Sequence, residues 1–308
     1  MRHHPTGPVR SYHVAKKNRP LTPVHLLAFA VAFAMTGICT ALALQAGSNP
    51  LTVVTVRTVT AVALLGTWLV LNAMSFRLRG REAGVALLIG IPLSANNYMI
   101  NAAIGEIPVP LAVLIFYTWP AITTAASWLL GKERFRWRTA AALALAFAGV
   151  ALALDVELTA AQSKGVWLAL AAAVMWSATF LLTGHFFHGR DTRVPTLYMM
   201  LTALAAFAGA CLATGDVAWP ATLAGRAGIG GVGAFYTFAL IGLFLASVRI
   251  GATRAGFYMN FEPIASVLLA ALILGQRLAP VQLAGAGLVI AALFLFRPPA
   301  AASPSRRS

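Results

Sequence analysis

The chain has 308 residues, of which 59% are hydrophobic and only 10% charged, with a mean hydropathy of +0.80 and a formal net charge of +15. A soluble domain carries roughly a quarter charged residues, so this composition excludes a protein that faces water on all sides. The chain reads as an integral membrane protein, and its positive charge then reports topology rather than a nucleic-acid partner.

Residues 1–23, containing MRHHPTGPVRSYHVAKKNRP, read as a basic cytoplasmic tail. Ala41-Leu42-Ala43 resembles a signal-peptidase site, but the apolar run is longer than a usual signal core and nine more follow, so the first helix is expected to be retained. Ten spans are predicted, near 24–46, 50–73, 83–104, 109–130, 138–154, 165–184, 195–214, 228–248, 252–274 and 279–296. Each approximates the ~20 residues that cross ~30 Å of hydrocarbon. Segments of this length exclude the ~10-residue alternating strands of a barrel. The short connectors leave no room for a soluble domain. Cys39 and Cys211 fall inside apolar spans and read as small hydrophobes in the packing, with nothing to argue for a disulfide.

With the N-terminus placed in the cytoplasm, 19 of the 23 Lys and Arg fall on cytoplasmic segments. Lys164, Arg226 and Arg277 fall outside, and Arg57 lies within a span. That asymmetry predicts both termini inside and an even number of spans.

A shift of 143 residues lays YTWPAI (Tyr117–Ile122) on NFEPIA (Asn260–Ala265), so that Trp119 falls on Glu262 and Pro120 on Pro263. The same shift places Glu133-Arg134 on Gln276-Arg277. A unit of five spans must re-enter the membrane from the other side. The expected fold is therefore an all-α membrane protein with ten transmembrane helices as two inverted five-helix repeats, over 24–155 and 165–297, followed by a cytoplasmic tail, 298–308. Such repeats place a substrate site near the midplane.

Glu262 stands about ten residues into the ninth span. An acid at that depth costs on the order of 2.5–3.5 kcal/mol and must face protein or a water-filled cavity. It is either a proton-coupling or amine-binding carboxylate, or a structural group paired with Arg57 or capping backbone freed by Pro263. Arg57 would bind a substrate carboxylate or snorkel outward. In SANNYMIN, Asn97 and Asn101 share a helical face, with Asn96 and Tyr98 on either side. These amides suit a zwitterion or helix-to-helix bonding. Tyr98, Tyr117, Trp119, Trp176, Tyr236, Tyr258 and Asn260 are the further candidates for lining the cavity, and Pro120 and Pro263 are the expected hinges. The glycines of GIGGVG and GAG read as close helix packing.

No HExxH or GxSxG is present, the six histidines sit in terminal or cytoplasmic-side positions, and no metal-ligand cluster occurs, so an enzyme is not expected and no cofactor is called for. Rings of charge that would mark a channel filter are missing as well.

The stretches IFYTWPAITTAASWLLGKERF and NFEPIASVLLAALILGQRLAPVQLAGAGLVI, with Trp176-Ser177-Ala178 and Arg57, resemble the EamA-like branch of the drug/metabolite transporter superfamily over about 24–297. Gln276 departs from the glutamate usual there. The resemblance implies secondary transport by alternating access, commonly with export of amino acids or similar small metabolites; a bacterial inner membrane is the expected location, and Glu262, from its depth in the ninth span, is the expected proton-coupling residue. The partners expected are a small-molecule substrate and the bilayer, without nucleic acid; a homodimer is compatible with the sequence. The alternative is a membrane sensor or scaffold that binds a metabolite without net flux.

Overall fold

A computed structural model describes residues 22–130, 137, 140, 141, 144, 145, 148, 149, 152, 160–187, 191–250, 258–276 and 278–295. Among them the chain is helical with no strand. In chain order the helices are α1 (Pro23–Gln45), α2 (Pro50–Leu71), α3 (Gly80–Glu106), α4 (Val109–Phe116), α5 (Trp119–Leu129), α6 (Ala160–Phe186), α7 (Arg193–Thr214), α8 (Leu223–Ile250), α9 (Glu262–Ile273) and α10 (Pro280–Leu295).

Taking α4 and α5 as one segment, seven are long and apolar enough to cross a membrane, and two shorter apolar helices, Glu262–Ile273 and Pro280–Ala292, follow. Those nine match nine of the ten expected spans. The remaining one, 138–154, lies mostly outside the described residues, so the count of ten does not rest on the structure. Its described positions are helical, and Gly149 packs so closely on α10 that a Cβ there would sit 2.7 Å from the Gly285 carbonyl oxygen.

Local chemistry sets the helix ends. Asn49 caps α2, its side chain accepting from the Thr52 amide at 2.8 Å, and Pro50 opens the helix where no amide is needed. Gly215, at φ +65°, ends α7 in the left-handed conformation that a Cβ would disfavour.

The helices pack through small residues, as membrane bundles do where lipid offers no hydrophobic drive. Gly228 of α8 lies against the Cys39 carbonyl of α1, where a Cβ would meet the oxygen at 2.7 Å, and Gly231 lies against the Cys39 sulfur. Gly228 and Gly231 therefore set the α1–α8 spacing, while Gly233 lies against Thr60 of α2. Gly228→Ala should push these helices apart and lower the melting temperature by several degrees in a thermal-shift assay, whereas Gly230→Ala, with open space around it, should leave it unchanged.

At one end of the bundle the α1–α2 turn is stitched to the α7–α8 connector. The Ser48 hydroxyl donates to the Ala218 carbonyl, Asn49 Nδ2 to Asp216, and the Ala221 amide to the Ala46 carbonyl. At the same end of α3, Lys164 Nζ bonds Glu106 at 2.6 Å. At the opposite end of α1, Tyr198 Oη donates to the Phe76 carbonyl, and Arg193 pairs with Asp191 and lies 5.2 Å from the Trp68 ring centre.

Candidate functional site

Two helix interruptions form the centre of the molecule. Proline has no amide hydrogen, so Pro120 and Pro263 each release the carbonyl four residues earlier, at Phe116 and Met259. At each proline the hydrogen-bond ladder breaks while the backbone stays near helical, with Thr118 at φ −72°, ψ −12° and Phe261 at φ −80°, ψ −13°. Tyr117-Thr118 form a turn between α4 and α5, and Asn260-Phe261 form a turn before α9. Each new helix has its proline in the first turn, after Trp119 and Glu262 respectively. The two turns are 143 residues apart, the shift read from the sequence.

The interruptions touch. Tyr117 Oη lies 2.8 Å from the Met259 carbonyl oxygen and 2.8 Å from Glu262 Oε2. The carbonyl freed by Pro263 is therefore capped by a tyrosine from the other interruption, not by Glu262. Glu262 is half-buried, and among the described residues no ion pair joins it to Arg57. On the first interruption, Thr118 Oγ1 donates to the Ile115 carbonyl and Ser177 of α6 donates to the Trp119 carbonyl at 2.9 Å. Ser177 belongs to the Trp-Ser-Ala triplet of the sixth span, and its hydroxyl also lies 2.8 Å from the Ala173 carbonyl of its own helix, so its one hydrogen serves two acceptors.

Arg57 is 8% exposed and does not snorkel. Its Nη2 donates to Asn97 Oδ1 at 3.0 Å, and its guanidinium carbon sits 3.7 Å from the centre of the Tyr236 ring, a cation–π contact in a desolvated setting. Asn101 joins them from one turn further along α3. Its Nδ2 donates to the Asn97 carbonyl and its Oδ1 accepts from Thr40 of α1. Thr40 was missed in the sequence; a lone hydroxyl in an apolar span was its only signal. Thr40→Val should weaken the α1–α3 contact by about 1 kcal/mol, read as a small fall in melting temperature, because Asn101 Oδ1 would be left buried without a donor.

The remaining candidates divide. Trp119 and Trp176 meet edge to face at 6.3 Å, flanked by Phe116 and Phe180. Tyr258 packs with Phe33 around Met259, and Phe33 also meets the Tyr236 ring, which joins the arginine cluster to the second interruption. Asn260 lies half-buried in that interruption. Tyr98 stands apart from this cluster: it is 42% exposed and lies roughly 100° around α3 from Asn97. Among the described residues, a cavity of about 270 Å³ opens elsewhere, between Gln45, Glu106 and Gln276 at the stitched end of α1.

Four buried side-chain atoms have no hydrogen-bond partner among the described residues: Arg57 Nε, Asn96 Oδ1, Thr123 Oγ1 and Ser266 Oγ. Each such orphan costs about 1–3 kcal/mol, which concentrates unused hydrogen-bonding capacity at this centre. Thr123 and Ser266 are themselves 143 residues apart, one turn beyond each interruption.

No curated protein matches the sequence significantly. A solved structure described only as "Crystal structure of protein" is similar in fold, with a TM-score of 0.59 and 21% identity over 88% of this chain and 95% of that one. The EamA-like transporter family matches twice, over residues 22–154 and 163–297, so the duplication seen at the two interruptions extends to the whole length of each half. The chain belongs to the EamA-like transporter family, and is a multi-pass membrane transporter.

Proposed function

We propose that this transporter is a secondary active exporter of amino acids or similar small metabolites, in which Glu262 exchanges a proton for substrate. Two inverted five-helix repeats, ten spans in all, rock about the paired interruptions, with both termini in the cytoplasm of a bacterial inner membrane. Pro120 and Pro263 mark the hinges. Arg57, Asn97 and Asn101 form the polar floor, and Trp119, Trp176, Tyr236 and Tyr258 form its apolar walls.

The observation that carries this reading is the Tyr117 contact. A phenol has one hydrogen, yet its oxygen lies 2.8 Å from two acceptors, the Met259 carbonyl and Glu262 Oε2. A proton on Glu262 resolves the arrangement: the carboxyl donates to the phenol oxygen, and the phenol donates to the carbonyl. The closed centre thus favours a protonated Glu262. Deprotonation would set a buried carboxylate and a carbonyl competing for one hydrogen, loosening the joint between the two halves. A carboxyl that favours one conformation when protonated and another when ionised meets the requirement for coupling.

The test is efflux from proteoliposomes loaded with a mixed amino-acid and metabolite pool, with and without an inward proton gradient. Gradient-accelerated loss of a defined subset, read by mass spectrometry, is expected. Flux that is indifferent to the gradient would remove the proton from the mechanism, and binding without flux would leave a sensor.

A further inference from the structure

We propose that Gln276 is the latch of an outer gate: its side chain holds the end of α9 against the start of α4, and the apolar column beneath it is the barrier that parts to let substrate into the cavity beside Glu106. The inference rests on the transport reading, whose placement of both termini inside makes the stitched end of α1 the outer one. It adds where the pathway opens and what keeps it shut.

The latch follows from how two helices end. α9 closes at Leu274, and the chain turns at Gly275, whose φ of +64° suits a residue without a Cβ. The Gln276 amide then bonds back to the Ala270 carbonyl at 3.1 Å, so its side chain leaves a short, bonded turn. Opposite it, α4 begins at Val109, and an amide at that position has no acceptor within its own helix. Pro108 and Pro110 on either side carry no amide hydrogen at all. Gln276 Oε1 accepts from the Val109 amide at 3.1 Å, across 167 residues, and thereby joins the second half of the chain to the first.

Below this bond the contact between the halves is apolar. Val109, Val113 and Tyr117 are spaced four apart, so they share one face of α4 and span ~12 Å of its length. They pack with Ile38 and Ala41 of α1 and Ala270 of α9 in one cluster, in which none is more than 6% exposed. Ala41, near the outer end of this column, also lines the cavity, as do Ile104, Glu106 and Gln276 itself. Tyr117, at its foot, bonds Glu262. The column therefore stands between the cavity and the proton-coupling joint. Apart from the Tyr117 hydroxyl its side chains offer no polar group, so it closes the pathway to water and to a polar solute alike. One hydrogen bond shifts an equilibrium by roughly threefold to tenfold, which favours a shut gate without locking it. Once the gate opens, the Val109 amide and the Gln276 side chain both meet water, and neither is left unpaired.

The experiment reads access from outside to the middle of the column. In the full-length protein with Cys39→Ala and Cys211→Ala, a thiol is introduced by Val113→Cys, and its reaction with a membrane-impermeant maleimide is timed in right-side-out vesicles. Gln276→Ala should raise that rate by roughly threefold to tenfold. Gln276→Glu, which keeps an acceptor oxygen at the same reach, should leave it near the parent value. Gln45→Cys, on the exposed cavity wall, should react quickly whatever stands at position 276. Leu114→Cys, buried in a different cluster on α4, should stay slow throughout. Ala270→Cys, on the α9 side of the same column, supplies the same readout if the Val113 variant does not fold.

An unchanged rate at Val113→Cys in the alanine variant would overturn the latch, and efflux from the same vesicles would leave the exporter standing without it. An equal rise at Leu114→Cys would also overturn it, because the bond would then hold the fold together and gate nothing. Faster reaction only in inside-out vesicles would place the column at the other face of the membrane and end the outer gate. The expected labelling pattern with no flux from any variant or the parent would do the opposite, retaining the gate and removing the exporter.

Discussion

Glu262→Gln is expected to abolish gradient-driven efflux, by at least a hundredfold, while leaving the melting temperature unchanged or higher. The glutamine amide donates permanently to the phenol oxygen of Tyr117, imitating the protonated carboxyl, and Tyr117 keeps its bond to the Met259 carbonyl. The joint stays closed and cannot be released. Glu262→Leu separates the electrostatic role from the structural one. It should abolish efflux as well, yet lower stability, because the phenol then has one neighbour in place of two. Tyr117→Phe should reduce efflux at least tenfold and destabilise by about 1–3 kcal/mol, since the carbonyl freed by Pro263 loses its cap. In combination, Tyr117→Phe and Glu262→Gln should fall well short of the summed single effects, as expected for groups that act as one unit. Full additivity, or a Glu262→Gln variant that still follows the proton gradient, would separate the two residues and end the coupling argument.

The second large effect is on folding. Gly90 of α3 sits where a Cβ would lie 2.5 Å from the Thr202 Cβ and 2.7 Å from the Met199 carbonyl oxygen of α7. The second contact is to backbone, so no side-chain rotation relieves it. Gly90→Ala should cost about 1–3 kcal/mol and Gly90→Val more, enough to lower the melting temperature markedly or prevent purification of a monodisperse protein. Thr202→Ala should rescue little of the loss, because it removes only the hydroxyl and methyl while the Thr202 Cβ and the Met199 carbonyl remain in place. Gly84→Ala, on the same helix with no atom near its added Cβ, is the control and should be neutral. A neutral Gly90→Val would mean that α3 and α7 are not held at this distance.

Much of the fold was legible because hydropathy along a membrane chain is a strong and repetitive signal. Nine of the expected spans coincide with described helices to within a few residues at most ends. The repeat was legible too, since one shift aligned Tyr117-Thr118-Trp119-Pro120 with Asn260-Phe261-Glu262-Pro263. Less legible was the form the prolines would take. A proline in a helical pattern signals a freed carbonyl, but whether the helix bends or stops depends on what caps that carbonyl. Here the cap is Tyr117, which comes from the opposite half of the chain.

The candidate site was read in part. Arg57 and Asn97 were singled out as deep polar groups, and the structure brings them together. Tyr98 was singled out by its neighbours in sequence, and it stands apart from them on the helix. Asn101 and Thr40 show that polarity in a span often serves helix-to-helix bonding. Asn96 was visible only as part of a run of amides.

The stitching between the α1–α2 turn and the α7–α8 connector has a practical consequence. Its bonds run backbone to side chain and backbone to backbone across more than 160 residues of sequence. Whatever the rest of the molecule does during its cycle, these two connectors should travel as one piece. A pair of spin labels on the exposed Gln45 and Val217 would then report a constant separation in every state. Labels elsewhere could be referenced to it, giving distance measurements an internal ruler supplied by the protein itself.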